Sequence, residues 1–417
     1  MATTFPWGES VTVLMELGFP TNPFTLDSAS LGVLDSNALD GSLLGDDVSS
    51  YCREISVSRG RTDQLANFSA GTAQFRLLNN DRRFDPINED SPYWDITTGR
   101  SGVTPRRKVT VLLDNEAVYV GRITDIDVLY DFNLSEVAIT TSDDFVLLAN
   151  ATTGTAFTPP EELSGARVER ILNLPAIDYP LTTRNISTGL ASLGAYQIAD
   201  NTNALTYLQR CADAEQGNMF ISKDGLLTFT DRLAASFIPT AAAFSDDGTE
   251  IPYSSLQVLY GQEFLYNRIS AQTEGGTLQN VDDVASQTEF GISTLALSDL
   301  LLTDDAAALT LANTLLDRYK NPVYRFDELQ VSMNRLTSGQ RLDVLALEIG
   351  NVIEITRTYE TGTPASVTAF YAIEGIQHKM NPNQHVVTVR LTPAEILYPF
   401  ILDDIIYGVL DTDNALT

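Results

Sequence analysis

The side chains able to do chemistry are few. His378 and His385 are the only imidazoles in the chain, and they border a turn signal at Asn381-Pro382, so the sequence predicts solvent-exposed turn flanks. A zinc centre needs clustered nitrogen and sulfur ligands, which two histidines and the widely separated Cys52 and Cys211 do not supply. Both cysteines are expected to be free, buried thiols. A Ser-His-Asp triad would have to borrow one of the histidines, and no Gly-x-Ser-x-Gly elbow accompanies them. No phosphate-cradling glycine pattern stands where a strand meets a helix. Paired carboxylates remain, and two suffice for glycoside hydrolysis. Among 55 acidic residues none is singled out, and Trp7 and Trp94, the platforms a sugar cleft would use, sit in different segments. Asp35-Ser-Asn-Ala-Leu-Asp-Gly has some calcium-loop character, but its glycine falls one place late. The sequence thus predicts no catalytic residue, no metal ligand and no cofactor.

Charge narrows the function further. The 55 acids face 26 bases, for a net charge of −29. Such a chain has no global attraction for nucleic acid or anionic lipid, because affinity for phosphate comes largely from Lys and Arg displacing counterions. The bases are unevenly spread: ten of them, against seven acids, lie between Arg53 and Lys108. Arg53, Arg59, Arg61, Arg82, Arg83, Arg106, Arg107 and Lys108 are therefore expected to face an acidic partner, such as another copy of the chain. Pairing with carboxylates inside one domain is the alternative. The N-terminus lacks a signal-peptide pattern, and no apolar stretch approaches the ~20 residues of a membrane span.

The elements that must position these residues are mostly strands. Period-two alternation marks Val11–Leu17, Arg53–Ser58, Gly71–Leu78, Val109–Leu113, Ala117–Ile126 and Glu136–Thr141. After Thr155 the texture changes. Helical spacing over Arg167–Leu174 stops at Pro175, and a second helix follows Thr202 as N-cap and closes at Gly217. Asp224-Gly225 between two alternating runs predicts a hairpin. Strands return at about Phe244: Arg325–Met333, Val352–Arg357, Val367–Gln377 and His385–Leu391. One helix interrupts them, capped by Thr303 or Asp304 and ended by Asn321-Pro322.

Two internal similarities stand out. The meander Val109–Leu113, Ala117–Ile126, Glu136–Thr141 has the same order as Val352–Arg357, Val367–Gln377, His385–Leu391, which fits either a duplicated barrel or the alternation common to every meander. More specifically, Phe24-Thr-Leu-Asp-Ser-Ala-Ser-Leu-Gly-Val-Leu-Asp matches Phe400-Ile-Leu-Asp-Asp-Ile-Ile-Tyr-Gly-Val-Leu-Asp. Phe24, Leu26, Asp27, Gly32, Val33, Leu34 and Asp35 coincide with Phe400, Leu402, Asp403, Gly408, Val409, Leu410 and Asp411 without a gap. Two similar apolar arms can dock on equivalent grooves of neighbouring subunits, a structural role.

Several segments also resemble one family. Leu78-Asn-Asn-Asp-Arg-Arg-Phe-Asp-Pro-Ile-Asn, followed by Ser91-Pro92-Tyr93, resembles the segment of siphophage minor tail proteins in which a strand leads into an Asp-Gly-Arg-Phe-Asp-Pro-type turn. Arg82 stands where those proteins usually have glycine, which puts the turn geometry in question. Asn203 to Gly217, then Phe220-Ile and Asp224 to Arg232, is similar to the helix-plus-hairpin module of the same proteins, and the terminal arms resemble theirs.

The resemblance implies a baseplate hub, or tail tip protein, similar in fold to contractile-tail hubs: mainly β with α/β insertions, two tube-type antiparallel β-barrels and a small α/β module. The corresponding division is 1–50, N-terminal strand and arm; 51–150, first barrel; 151–235, α/β module; 236–398, second barrel with an inserted helix 304–320; and 399–417, C-terminal arm. It implies a homotrimer whose six barrels continue the tail tube, adapt sixfold to threefold symmetry and let DNA pass without specific binding. Implied partners are a distal tail protein ring, the tape measure protein C-terminus and other tail-tip or receptor-binding proteins, in a virion assembled in the bacterial host cytoplasm. No fused hydrolase or receptor-binding domain is expected after the second barrel. Rival readings are a hexameric distal tail protein, a tail-tip carbohydrate-binding adhesin and a cell-wall hydrolase. A conduit for DNA should not hold it, so residues facing the axis are expected to be acidic or neutral, with the basic stretch off the lumen at subunit contacts.

Overall fold

The computed structural model describes residues 3–17, 45–131, 134–234 and 240–394, together with the backbone of 398–399 and 414–415. The two matching segments, 24–35 and 400–411, lie outside the described residues. The chain is mainly β, and twelve strands carry the architecture. In the first half these are β1 (Ser10–Glu16), β2 (Cys52–Gly60), β3 (Ser69–Leu78), β4 (Lys108–Leu113), β5 (Glu116–Tyr130) and β6 (Ser135–Ser142). In the second half they are β7 (Ala242–Ser245), β8 (Ser255–Leu259), β9 (Arg325–Ser332), β10 (Val352–Thr358), β11 (Ser366–Asn381) and β12 (Gln384–Pro393). Alternation drives them, since β1, β3 and β4 bury every second side chain.

The two halves pair in the same permuted order. The first runs β1-β4-β5-β6-β3-β2 and the second β7-β10-β11-β12-β9-β8. Each is built on a meander with a long middle strand, β5 of 15 residues and β11 of 16. They differ at the first strand, since β1 lies antiparallel to β4 while β7 lies parallel to β10. Among the described residues, strand pairing does not run full circle in either half.

A seam joins the halves into one sheet. Residues 55–60 of β2 pair antiparallel with 375–380 of β11, beside the segment of β11 that pairs with β10. The backbones meet where Gly60 faces Gly375: a Cβ on Gly60 would sit 2.2 Å from the Glu374 carbonyl oxygen, and Gly60 has φ of 101°. Behind the sheet, one apolar core takes Val57, Phe75, Val111 and Ile139 from the first half and Phe326, Ile355, Ile376 and Val389 from the second.

A second core lies in the intervening segments. Helices Ser164–Leu172 and Ala204–Glu215 and the hairpin Asn218–Ile221/Leu227–Thr230 share it with a three-stranded sheet (Arg268–Thr273, Gln279–Asp282, Thr294–Leu300) and helix Asp305–Tyr319. Asn203, rather than the expected Thr202, caps the second helix, its Oδ1 accepting from Thr206 N at 3.0 Å; the Thr202 hydroxyl instead donates to the Ala199 carbonyl. Asp304 caps Asp305–Tyr319, accepting from Ala307 N at 2.8 Å. The sequence expectation of one helix in the second half is corrected by Val284–Phe290 and Ser338–Ala346. The latter opens on a Thr337/Gln340 capping box whose spacing was legible in the sequence.

Candidate conduit surface

The seam aligns residues of both halves in one row. Across seven strands the register reads Ser142 (β6), Thr72 (β3), Ser58 (β2), Gln377 (β11), Thr388 (β12), Gln330 (β9) and Ser255 (β8). All seven are hydroxyls or amides, Ser142 being buried at 9%, and beyond Ser142 the same register continues to Arg122 on β5 and Lys108 on β4. At the ~4.8 Å strand spacing the row is roughly 29 Å wide. The next row, Asp125, Thr140, Gln74, Ser56, Lys379, Val386 and Ser332, carries one anion and one cation. These side chains stand on the face opposite the apolar core, whose members Val57, Ala73, Val387 and Val389 alternate with them. From β3 to β8 the first row thus carries no charge, while its end on β5 and β4 is cationic. The sequence carried the signal, Thr-x-Gln and Ser-x-Ser at the outward positions of alternating strands, but only the register shows that they form one row.

The basic stretch divides into two groups. Arg59 Nη1 donates to Glu348 Oε1 at 2.6 Å, and Arg61 Nε to Glu374 Oε2 at 2.6 Å, so two of its arginines tie the seam together inside the chain. Arg61 also reaches Asn218 Oδ1 at 3.2 Å, linking the seam to the second core. Arg82 pairs with Asp85 at 2.7 Å and Arg83 with Asp81 at 2.7 Å. Arg82 itself has φ of 56°, the left-handed conformation that a glycine would adopt without steric cost. Arg53, Arg106, Arg107 and Lys108 have no ion pair within 4.0 Å among the described residues.

The histidines are not turn flanks. His378 is 3% exposed and His385 fully buried, because both stand on the core face of β11 and β12. They form a buried polar chain: His378 Nδ1 lies 3.1 Å from His385 Nε2, and His385 Nδ1 lies 2.8 Å from Glu9 Oε1. Trp7 Nε1 donates to the other Glu9 oxygen at 2.9 Å. Burial opposes the Glu9 charge, but the hydrogen bond and charge of His385, with the indole N–H, hold its carboxyl below the ordinary range. Burial pushes His378 well below the ordinary imidazole value, helped by the charges of His385, Arg59 and Lys223. The expected solvent exposure fails because the turn occupies only residues 381–384, and pairing resumes at once on either side.

Other titratable groups serve structure. Asp143 is buried and accepts from Gly71 N at 2.6 Å and Phe145 N at 3.0 Å; burial raises it to about 7. Cys211 is buried and its thiol pushed up to about 12 by desolvation, while Cys52 is only half-buried. Among the described residues no group of three or more His, Cys, Asp or Glu could hold a metal ion, and no helix is long and apolar enough to cross a membrane. The Asp35 loop and all fourteen arm positions lie outside the described residues.

The fold is that of phage tail proteins. The chain is similar to a tail protein from Neisseria meningitidis MC58, with a TM-score of 0.60 over 94% of this chain and 100% of that one at 11% identity. It is also similar to the 43 kDa tail protein of prophage MuSo2 from Shewanella oneidensis, with a TM-score of 0.57 over 93% and 98% of the two chains at 12% identity. No protein-family model matches the sequence, and no curated protein does.

Proposed function

We propose that the chain is a structural protein of a phage tail tip, a baseplate hub whose two duplicated halves are tube-type barrels. Three copies form a ring that continues the tail tube and adapts its sixfold symmetry to threefold. The observation that carries this reading is the uncharged seven-strand row. A wall that DNA slides past must neither bind phosphate through cations nor repel it so strongly that passage is opposed, and hydroxyls and amides meet both demands. The shared strand permutation supports two quasi-equivalent units per chain, which favours a trimer over a hexamer of single-barrel chains. The fold shared with the Neisseria and Shewanella tail proteins points the same way. Mass photometry of the purified chain tests the reading: a species of three chains is expected, and a monomer or a hexamer at every concentration would overturn it.

A further inference from the structure

Arg59, Arg61, Arg82 and Arg83 are paired inside the chain, and three of the bases of the stretch that have no ion pair among the described residues are consecutive. Arg106-Arg107-Lys108 is the only run of three consecutive cations in the sequence. It is held on a rigid rung: Arg106 N donates to Ile123 O at 2.7 Å and Ile123 N to Arg107 O at 2.8 Å, with Arg106 at φ of 70°. Lys108 faces Arg122 across the β4–β5 ladder, a like-charge pair that is unfavourable without a counter-charge. Asp144 satisfies Arg122 at 2.8 Å, but among the described residues no carboxylate answers the other three, and Arg107 Nε is buried without a partner among them. The excursion that ends in this run also exposes Ile87 and Ile96, at 77% and 90%.

The complementary segment is in the same sequence. Phe400–Thr417 carries Asp403, Asp404, Asp411 and Asp413, no cation, and Leu402, Ile405, Ile406 and Leu410 between the charges. We infer that Arg106-Arg107-Lys108 is the receptor for the acidic arm Phe400–Thr417 of a second copy of the chain. This rests on the reading that the chain assembles with itself. Copies of net charge −29 repel one another, and docking within one copy would leave that repulsion untouched, whereas docking between copies places these cations against an acidic, cation-free segment at the contact.

Charge swaps in the full-length chain test it. R106E/R107E/K108E, and separately D403K/D404K/D411K, should each raise the concentration for half-assembly at least tenfold by mass photometry, with melting curves like the wild type. Combining both sets in one chain should restore assembly. Tagged copies of that combined chain should then sort from untagged wild type, because its glutamates face the wild-type aspartates. Normal assembly of either single set, no rescue in the combined chain, or free mixing with wild type overturns the inference; free mixing would mean that each arm docks on its own copy. A wild type that is monomeric throughout would instead overturn the assembly reading itself.

Discussion

Acidification should weaken the core behind the seam through one side chain, His378. It is buried with its pKa held well below the ordinary 6.5, so the unfolded chain takes up a proton there before the folded one does. Its contribution is therefore complete above pH 6.5 and lost as pH falls toward the folded value, at about 1.4 kcal/mol per pH unit. Between pH 6.5 and the folded value each kcal/mol lost is about 2 to 4 °C in Tm for a cooperative unit of 150–250 residues. The whole-protein profile will hide it, because Asp143, raised to about 7 by burial, acts with the opposite sign between pH 3.8 and 7. The measurement is thus a difference: Tm of wild type minus Tm of His378→Gln, followed from pH 8 to 5. Removing the side chain shifts the variant by a constant, but only the wild type carries the titration, so the difference should be flat above pH 6.5 and fall below it. A difference flat down to pH 5 would mean that His378 takes up its proton in the folded state as readily as in the unfolded one, and the buried Glu9-His385-His378 chain would have to be rejected.

Other substitutions bear on particular contacts. Gly60→Ala places a methyl against the Glu374 carbonyl in a left-handed conformation, so it should cost about 1–3 kcal/mol from the backbone alone and lower the melting temperature; an unchanged melt would show the seam to be looser than described. Arg167, fully buried, pairs with Glu162 at 2.7 Å and donates to Tyr207 Oη at 2.9 Å, so Arg167→Ala should destabilise the second core by about 3–5 kcal/mol in urea unfolding. Ser58→Arg with Gln377→Arg puts cations in the middle of the uncharged row, each worth about 1 kcal/mol to a phosphate at 4 Å in water. Virions carrying both should form normally and eject DNA more slowly in vitro, and wild-type ejection kinetics would count against the row as a conduit wall.

Local signals were read where physics is local. Alternation located the strands of both meanders, Asp224-Gly225 its hairpin, and Asp304 its helix. The sequence showed that the meanders recur but not that all six strands of each half share one permutation, since β3 pairs with β6, β8 with β9 and β9 with β12 across long separations. The histidines were misread because a turn dipeptide predicts exposure for its neighbours only when the strands end there, and β11 and β12 continue to residues 381 and 384. Arg59 and Arg61 looked like surface charge because Glu348 and Glu374 lie almost 300 residues or more away in sequence, at separations of 289 and 313. The hydroxyl and amide row was invisible for the same reason: each Ser, Thr or Gln is unremarkable until register sets them side by side.

The seam also imposes a timetable on synthesis. Strand β2 emerges early, yet the strand that covers its edge is made some 313 residues later, the separation of Arg61 from Glu374. At 5–20 residues per second that is a wait of roughly 15 to 60 s. Throughout it, the nascent first half presents an unpaired strand edge beside the ribosome, in a cell filling with copies of the same chain. Correct seams and intermolecular ones therefore compete during translation, and a slower second half would shift the outcome toward mispaired chains before any folded protein exists.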